Sequence, residues 1–263
     1  MADTFDWVGE PATDRDVTER RFNLVRDTGV VPGILWLPAG PHRYPKPLVL
    51  LGHGGSGHKR AARQLGLGRW FASEWDIAAV AIDGPFHGDR QHHDVTAWIG
   101  VDAVTDGMVD DWTATLDALI NLDLVDSGRV AYLGLSMGTR YGLPYVAAAN
   151  RRLCCAVLGK YGLLQSPVVS APVDAAARVA RDAPRVDVPV LFHVQWDDEL
   201  FPRSGQFELF DQLGSQDKQL IAFPGTHRTS PPMAIRYWCE FVIEHLAPAG
   251  IKFARRVSDQ VED

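Results

Sequence analysis

Residues 129–150 read RVAYLGLSMGTRYGLPYVAAAN. The first part, 129–134, is short and apolar, the mark of a strand buried on both faces, and 137–150 has helical character. Between them Gly134-Leu135-Ser136-Met137-Gly138 matches the pattern G-x-S-x-G. A strand that turns directly into a helix forces the middle residue into a strained backbone. Glycines two positions to either side leave room for neighbouring elements to pass close by. In a chain with 24 glycines the bare pattern is weak, so its weight comes from the strand–helix junction. There Ser136 would project into a cleft from a helix N-terminus as a candidate nucleophile, and the next amide, Met137 N–H, would face the same point.

Working outward, short continuous apolar runs recur at 48–52, 77–82, 129–134, 155–159, 188–194 and 218–223. Helical stretches are expected at about 60–75, 102–122, 137–150, 203–213 and 231–246. Strict strand–helix alternation implies a parallel sheet with right-handed crossovers. Upstream, 20–27 and 30–38 are two β-rich runs separated by Thr28-Gly29 and read as an antiparallel hairpin, giving about eight strands in all. Segment 160–186 breaks the rhythm with Pro167, Pro172 and Pro184 around an Ala-rich piece and is expected to form a short cap. The polar tail 249–263 is expected to fray. The chain has 263 residues, a length that an α/β architecture fills as one domain, 1–263 with the small insertion 160–186.

Three further loops leave strand ends on the edge where α/β sheets place their sites. After 48–52 comes His53-Gly54-Gly55-Ser56-Gly57, whose small residues let the backbone approach a substrate. Its Gly55 amide, with Gly54 next, is the expected second donor, beside Met137, to a negative oxygen. His53 is expected to orient this loop. After 188–194 comes Gln195-Trp196-Asp197-Asp198-Glu199, and after 218–223 comes Pro224-Gly225-Thr226-His227. A serine hydroxyl needs a base to remove its proton, and the base needs an acid to fix its tautomer. The chain order Ser, acid, His makes His227 the expected base, whereas spacing alone allows Asp197, Asp198 or Glu199 as the acid.

Composition narrows the classes. Net charge is -7 and the basic residues are scattered, which argues against a nucleic-acid partner. No run approaches the 18 apolar residues of a membrane span, and the acidic N-terminus lacks the features of a secretory signal. Three cysteines, two of them adjacent at Cys154 and Cys155, read as core thiols in a reducing cytoplasm. His53, His58, His87, His92 and His93 fall in two loops on one edge, but their spacing matches no zinc motif. A seryl mechanism needs neither metal nor cofactor. The expected partner is a small ester-like molecule, with a homodimer left open.

With these residues in place the chain resembles the α/β-hydrolase superfamily over roughly 20–247, and within it the dienelactone hydrolase-like and acyl-esterase/peptidase-related branches. Asp198-Glu199-Leu200-Phe201-Pro202 is similar to the D-x-x-V-P element of the acid loop, with Phe201 in the place of Val, and this selects Asp198. Asp83-Gly84-Pro85-Phe86-His87-Gly88-Asp89-Arg90 is similar to the D-x-P-x-H-G-x-R run of these branches. It is expected to shape the pocket wall through turns and an Asp83–Arg90 pairing. The resemblance implies an α/β-hydrolase fold and acyl-enzyme chemistry on esters. Relatives that look similar also cleave thioesters, amides, lactones or carbon–carbon bonds, and the same fold also serves catalytically silent ligand-binding proteins. Dienelactone hydrolases use a cysteine nucleophile, whereas this elbow holds Ser136. Expected pocket residues are His53, Gly54, Phe86, His87, Trp98, Tyr161 and Leu164, forming a mostly apolar site.

Overall fold

The computed structural model describes residues 3–40, 45–90, 100–169 and 174–247. In these residues nine strands make one sheet: β1 (Thr4–Asp14), β2 (Val17–Arg26), β3 (Gly29–Pro38), β4 (Lys46–Gly52), β5 (Ala78–Ile82), β6 (Val125–Gly134), β7 (Cys155–Gly159), β8 (Val190–Gln195) and β9 (Lys218–Phe223). Among the described residues six helices accompany them: α1 (Ala62–Trp75), α2 (Val101–Asn121), α3 (Met137–Ala149), α4 (Ala176–Asp182), α5 (Arg203–Gln212) and α6 (Pro232–Leu246). This is the α/β-hydrolase fold expected above, with one strand more than the eight. The extra strand is β1, in which Gly9 and Pro11 interrupt the alternation begun by Phe5 and Trp7. It is an exposed edge strand, and its ladder to β2 slips between Val8 and Ala12. Phe5 and Trp7 nevertheless pack on Phe22, with ring centroids 4.7 and 6.4 Å away.

The sheet order is β1-β2-β3-β5-β4-β6-β7-β8-β9, antiparallel from β1 to β5 and parallel from β5 onward. Period-two alternation sends the side chains of each central strand into two cores. Leu48, Leu50, Val130 and Tyr132 face α2 and α3, while Val49, Leu51, Ala131 and Leu133 face α1 and α6. Because both faces are covered, these strands read as unbroken apolar runs.

The chain passes from β4 to β5 on one side and then crosses to β6 on the other. The ends of β4 and β6 are therefore neighbours, with Gly52 in register with Gly134. Such a reversal of strand order opens a crevice at the strands' carboxyl ends. The loops holding Gly55 and Ser136 leave from this pair of glycines. In segment 160–186, α4 and a following 3-10 turn, Ala183–Arg185, pack against α3. Residues 170–173, with Pro172, lie outside the described residues, as do Trp98, His92, His93 and the tail.

Candidate active site

Ser136 has φ 61°, the left-handed region that a bulky residue enters only when its surroundings hold it there. The holding is visible. Ser136 N–H donates to Gly159 O at 2.9 Å. The Thr139 hydroxyl lies 2.8 Å from both Gly134 O and Gly159 O, and accepts from Gly159 N–H at 2.8 Å. A Cβ on Gly138 would stand 2.8 Å from Gly52 O, so the last glycine of the motif is where α3 crosses the end of β4.

Ser136 Oγ lies 2.8 Å from His227 Nε2, and His227 Nδ1 lies 2.8 Å from Asp198 Oδ2. A carboxylate can only accept, so the His227 proton sits on Nδ1. Nε2 is left bare toward the serine hydroxyl. Asp198 is buried, and its other oxygen accepts the Leu200 and Phe201 amides at 2.9 Å each. The neighbouring carboxylates do different work. Asp197 accepts Gly225 N–H at 3.0 Å, and Glu199 accepts the main-chain N–H of His227 at 2.8 Å. That last bond holds the Glu199 carboxyl below its ordinary range.

Two buried groups that the sequence did not single out brace the histidine loop from below. Lys160, itself at φ 50°, donates from Nζ to Thr229 O at 2.7 Å and Ser230 Oγ at 3.2 Å. Burial lowers its pKa to about 8. Behind it Trp238 donates to His193 Nδ1 at 3.1 Å, and His193 Nε2 meets Gln195 Oε1 at 3.0 Å. The Gln195 amide then reaches Pro224 O at 2.7 Å and Gly225 O at 3.0 Å. Burial holds the His193 pKa at about 4.

Across the crevice, Gly54 O accepts from both Gly57 N–H and His53 Nδ1, each at 2.9 Å. The Gly55 N–H belongs to the same planar trans peptide and points the opposite way. It has no acceptor among the described residues. Neither does Met137 N–H, which opens α3 and so has no intrahelical partner. A Cβ placed on Gly55 would lie 4.0 Å from the Met137 side chain, which sets the two free amides on facing backbone. His53 Nε2 accepts Gly84 N–H at 2.8 Å, tying this loop to the next one, and its burial lowers its pKa to about 4.

In segment 83–90 the expected Asp83–Arg90 carboxylate pairing is not made. The Asp83 carboxylate is wholly buried against Lys59, whose Nζ is 2.5 Å away, and takes the Lys59 and Asp89 amides at 2.8 Å. Arg90 instead pairs with Asp111 at 2.7 Å and touches only the main-chain oxygen of Asp83. The compact ammonium reaches a fully enclosed carboxylate, whereas the Arg90 fork turns to α2. His87 Nε2 lies 2.8 Å from Gly55 O, and Phe86, at φ 65°, packs at the rim of the core. Tyr161 is fully buried and Leu164 is 48% exposed, so of these two expected pocket residues one lies inside and one at the surface. Among the described residues no cluster of three or more His, Cys, Asp or Glu side chains is spaced to hold a metal, and no helix is long and apolar enough to cross a membrane.

A strained serine beside the free Met137 amide, in line with a histidine and a buried aspartate on a switch-point crevice, places the chain among α/β-hydrolases. The solved structures narrow this. A cold-adapted esterase from an Arctic intertidal metagenomic library, bound to polyethylene glycol, is 33% identical over 92% of this chain and all of its own, with TM-score 0.77. The chain belongs to the same family as that esterase. An acetyl xylan esterase from Paenibacillus sp. R4 shares the fold at 18% identity, covering 93% of this chain and 89% of its own, with TM-score 0.73. So does an S-formylglutathione hydrolase from Agrobacterium tumefaciens at 15% identity, covering 92% and 100%, with TM-score 0.66. No family model and no curated protein matches the sequence.

Proposed function

We propose that the protein is a serine hydrolase that cleaves a carboxylic ester of a small substrate. The observation that carries this reading is the line Ser136–His227–Asp198, with both links at 2.8 Å and the serine at positive φ. His227 takes the Ser136 proton as Oγ attacks the carbonyl, and Asp198 stabilises the imidazolium so formed. The Gly55 and Met137 amides receive the oxyanion, each donor being worth about 3 kcal/mol of barrier. His227 then protonates the departing alcohol, and water attacks the acyl-enzyme by the same path in reverse. The family relationship to an esterase favours oxygen esters over thioesters, amides, lactones or carbon–carbon bonds. Segments 83–90 and 198–202 support the dienelactone hydrolase-like branch, and 160–186 is the proposed cap. Three free cysteines accord with a reducing cytoplasm.

The test is a panel of p-nitrophenyl esters of rising acyl length together with a fluorophosphonate probe. Wild type should hydrolyse the short esters and label at Ser136. A folded Ser136→Ala variant that kept full activity, or a folded wild type that neither labelled nor turned over, would refute the reading.

A further inference from the structure

Arg140 stands one helical turn beyond Ser136 on α3 and donates its main-chain N–H to Ser136 O at 3.0 Å. The residue is 4% exposed, yet its Nε and Nη2 atoms are buried without a hydrogen-bond partner, and it makes no salt bridge among the described residues. Its guanidinium lies 4.9 Å from the Tyr141 ring centroid. This is an unusual thing to bury. A lysine or histidine in that position could shed its proton, but a guanidinium cannot, so the site carries a permanent positive charge. An enclosed charge without a counter-ion is costly, which a fold tolerates where a ligand completes the pair.

The two orphan nitrogens are the informative detail. Nε–H and one N–H of Nη2 run parallel along one edge of the guanidinium, the edge that grips both oxygens of a carboxylate at once. The surroundings connect this edge to the reaction centre. Helical side chains lean toward the N-terminus, so Arg140 leans back toward Ser136. Burial raises the pKa of both Tyr141 and Tyr161, and the nearby Arg140 charge offsets part of that rise. Tyr161 is itself enclosed, with the Ala175 amide near its hydroxyl but outside hydrogen-bond geometry. The Tyr161 ring packs on Phe201 at 4.6 Å, and Phe201 on the His227 ring at 5.5 Å. Their main chains, those of Ser136 and Arg140, are one helical turn apart, about 6 Å along the axis, and the Arg140 side chain leans back over that turn, so one short molecule is what could touch both residues.

Resting on the esterase reading above, we infer that Arg140, flanked by Tyr141 and Tyr161, is a carboxylate-binding subsite. The preferred substrates are then half-esters of short dicarboxylic acids, with the free carboxylate on Arg140 and the ester carbonyl at Ser136. The chain's net charge of -7 opposes anions at long range, so such a preference needs a dedicated partner inside the site.

The experiment compares monoethyl glutarate with ethyl valerate, and monoethyl succinate with ethyl butyrate, following ethanol release. Within each pair only a carboxylate replaces a methyl group. Wild type should favour the half-ester by about 10- to 100-fold in kcat/KM, chiefly through KM, the range expected of hydrogen bonds to a charged partner. Glutarate should compete with ethyl valerate more strongly than valerate does. Arg140→Gln should erase the preference and Arg140→Lys should keep part of it. If Arg140→Gln fails to fold, the wild-type ratio, the product inhibition and Arg140→Lys still decide. Ready hydrolysis of ethyl valerate without preference for the half-ester, and with glutarate no better an inhibitor than valerate, overturns the subsite and leaves the esterase reading intact. Failure on all four esters together with no fluorophosphonate labelling overturns both.

Discussion

Glu199 holds the main-chain N–H of His227, whereas Asp198, one residue earlier, holds its ring. Adjacent carboxylates thus act on one histidine in two ways, Glu199 fixing the loop and Asp198 fixing the tautomer. Asp198→Asn should lower kcat by about 10⁴-fold, because an amide no longer enforces the Nδ1 proton. Glu199→Gln and Asp197→Asn keep an acceptor oxygen and should cost about tenfold or less. Steady-state kinetics on one p-nitrophenyl ester decides it. An Asp197→Asn loss equal to that of Asp198→Asn would overturn the assignment.

The tight crossing of α3 over β4 makes Gly138 a size-sensitive position of the elbow. In Gly138→Ala the new methyl would meet Gly52 O at 2.8 Å and Gly52 C at 3.1 Å, and backbone cannot turn aside as a side chain can. Overpacking of this kind costs about 1–3 kcal/mol. The variant should unfold at lower urea concentration and label more slowly at Ser136, since the Met137 amide moves with the helix. An unchanged midpoint and labelling rate would count against the crossing as described.

Much of this architecture is legible in the sequence alone. The runs at 48–52 and, after Arg129, 130–134 are without charge because both sheet faces are covered, so their type and order can be read directly. Spacing cannot choose among 197–199, since three consecutive carboxylates differ only in where the turn after β8 points them. The Asp83 partner is hidden because Lys59 lies 24 residues away on another loop, and nothing local announces it. Strand β1 escapes notice for the opposite reason: it is a polar edge whose Gly9 and Pro11 look like a turn. Arg140 gives no signal because an arginine within a helix ordinarily faces water.

Lys160 ties stability and activity together with opposite signs. Its pKa of about 8 lies below its ordinary value of 10.5, so the fold disfavours the charged form, and below pH 8 the ammonium is a burden on stability. Its hydrogen bonds nonetheless hold Thr229 and Ser230 beside His227. Lys160→Met should therefore unfold no more easily than wild type at pH 7 while kcat falls about tenfold as the histidine loop loosens, a separation typical of strained sites. Equal losses of stability and activity would show the lysine to be an ordinary structural tie.

Two histidines set the acid limit of the fold. His193 receives the Trp238 N–H on Nδ1, and His53 receives the Gly84 N–H on Nε2, so a second proton on either ring would oppose a donor already aimed at it. Burial, above all, keeps both rings neutral, with pKa about 4 against 6.5 for an ordinary histidine, and these donors fit the neutral form. The unfolded chain then binds more protons than the folded one between these values, so stability rises with pH across that window. The contribution is complete above pH 6.5 and is lost as pH falls toward 4, amounting to about 3 kcal/mol per ring. Urea midpoints should fall steadily from pH 6.5 to pH 5, before most carboxylates titrate, with a slope approaching two protons taken up on unfolding. His193→Gln, which keeps an acceptor for Trp238, should reduce that slope toward one. A midpoint that stays flat over this interval would mean that the rings are not held neutral.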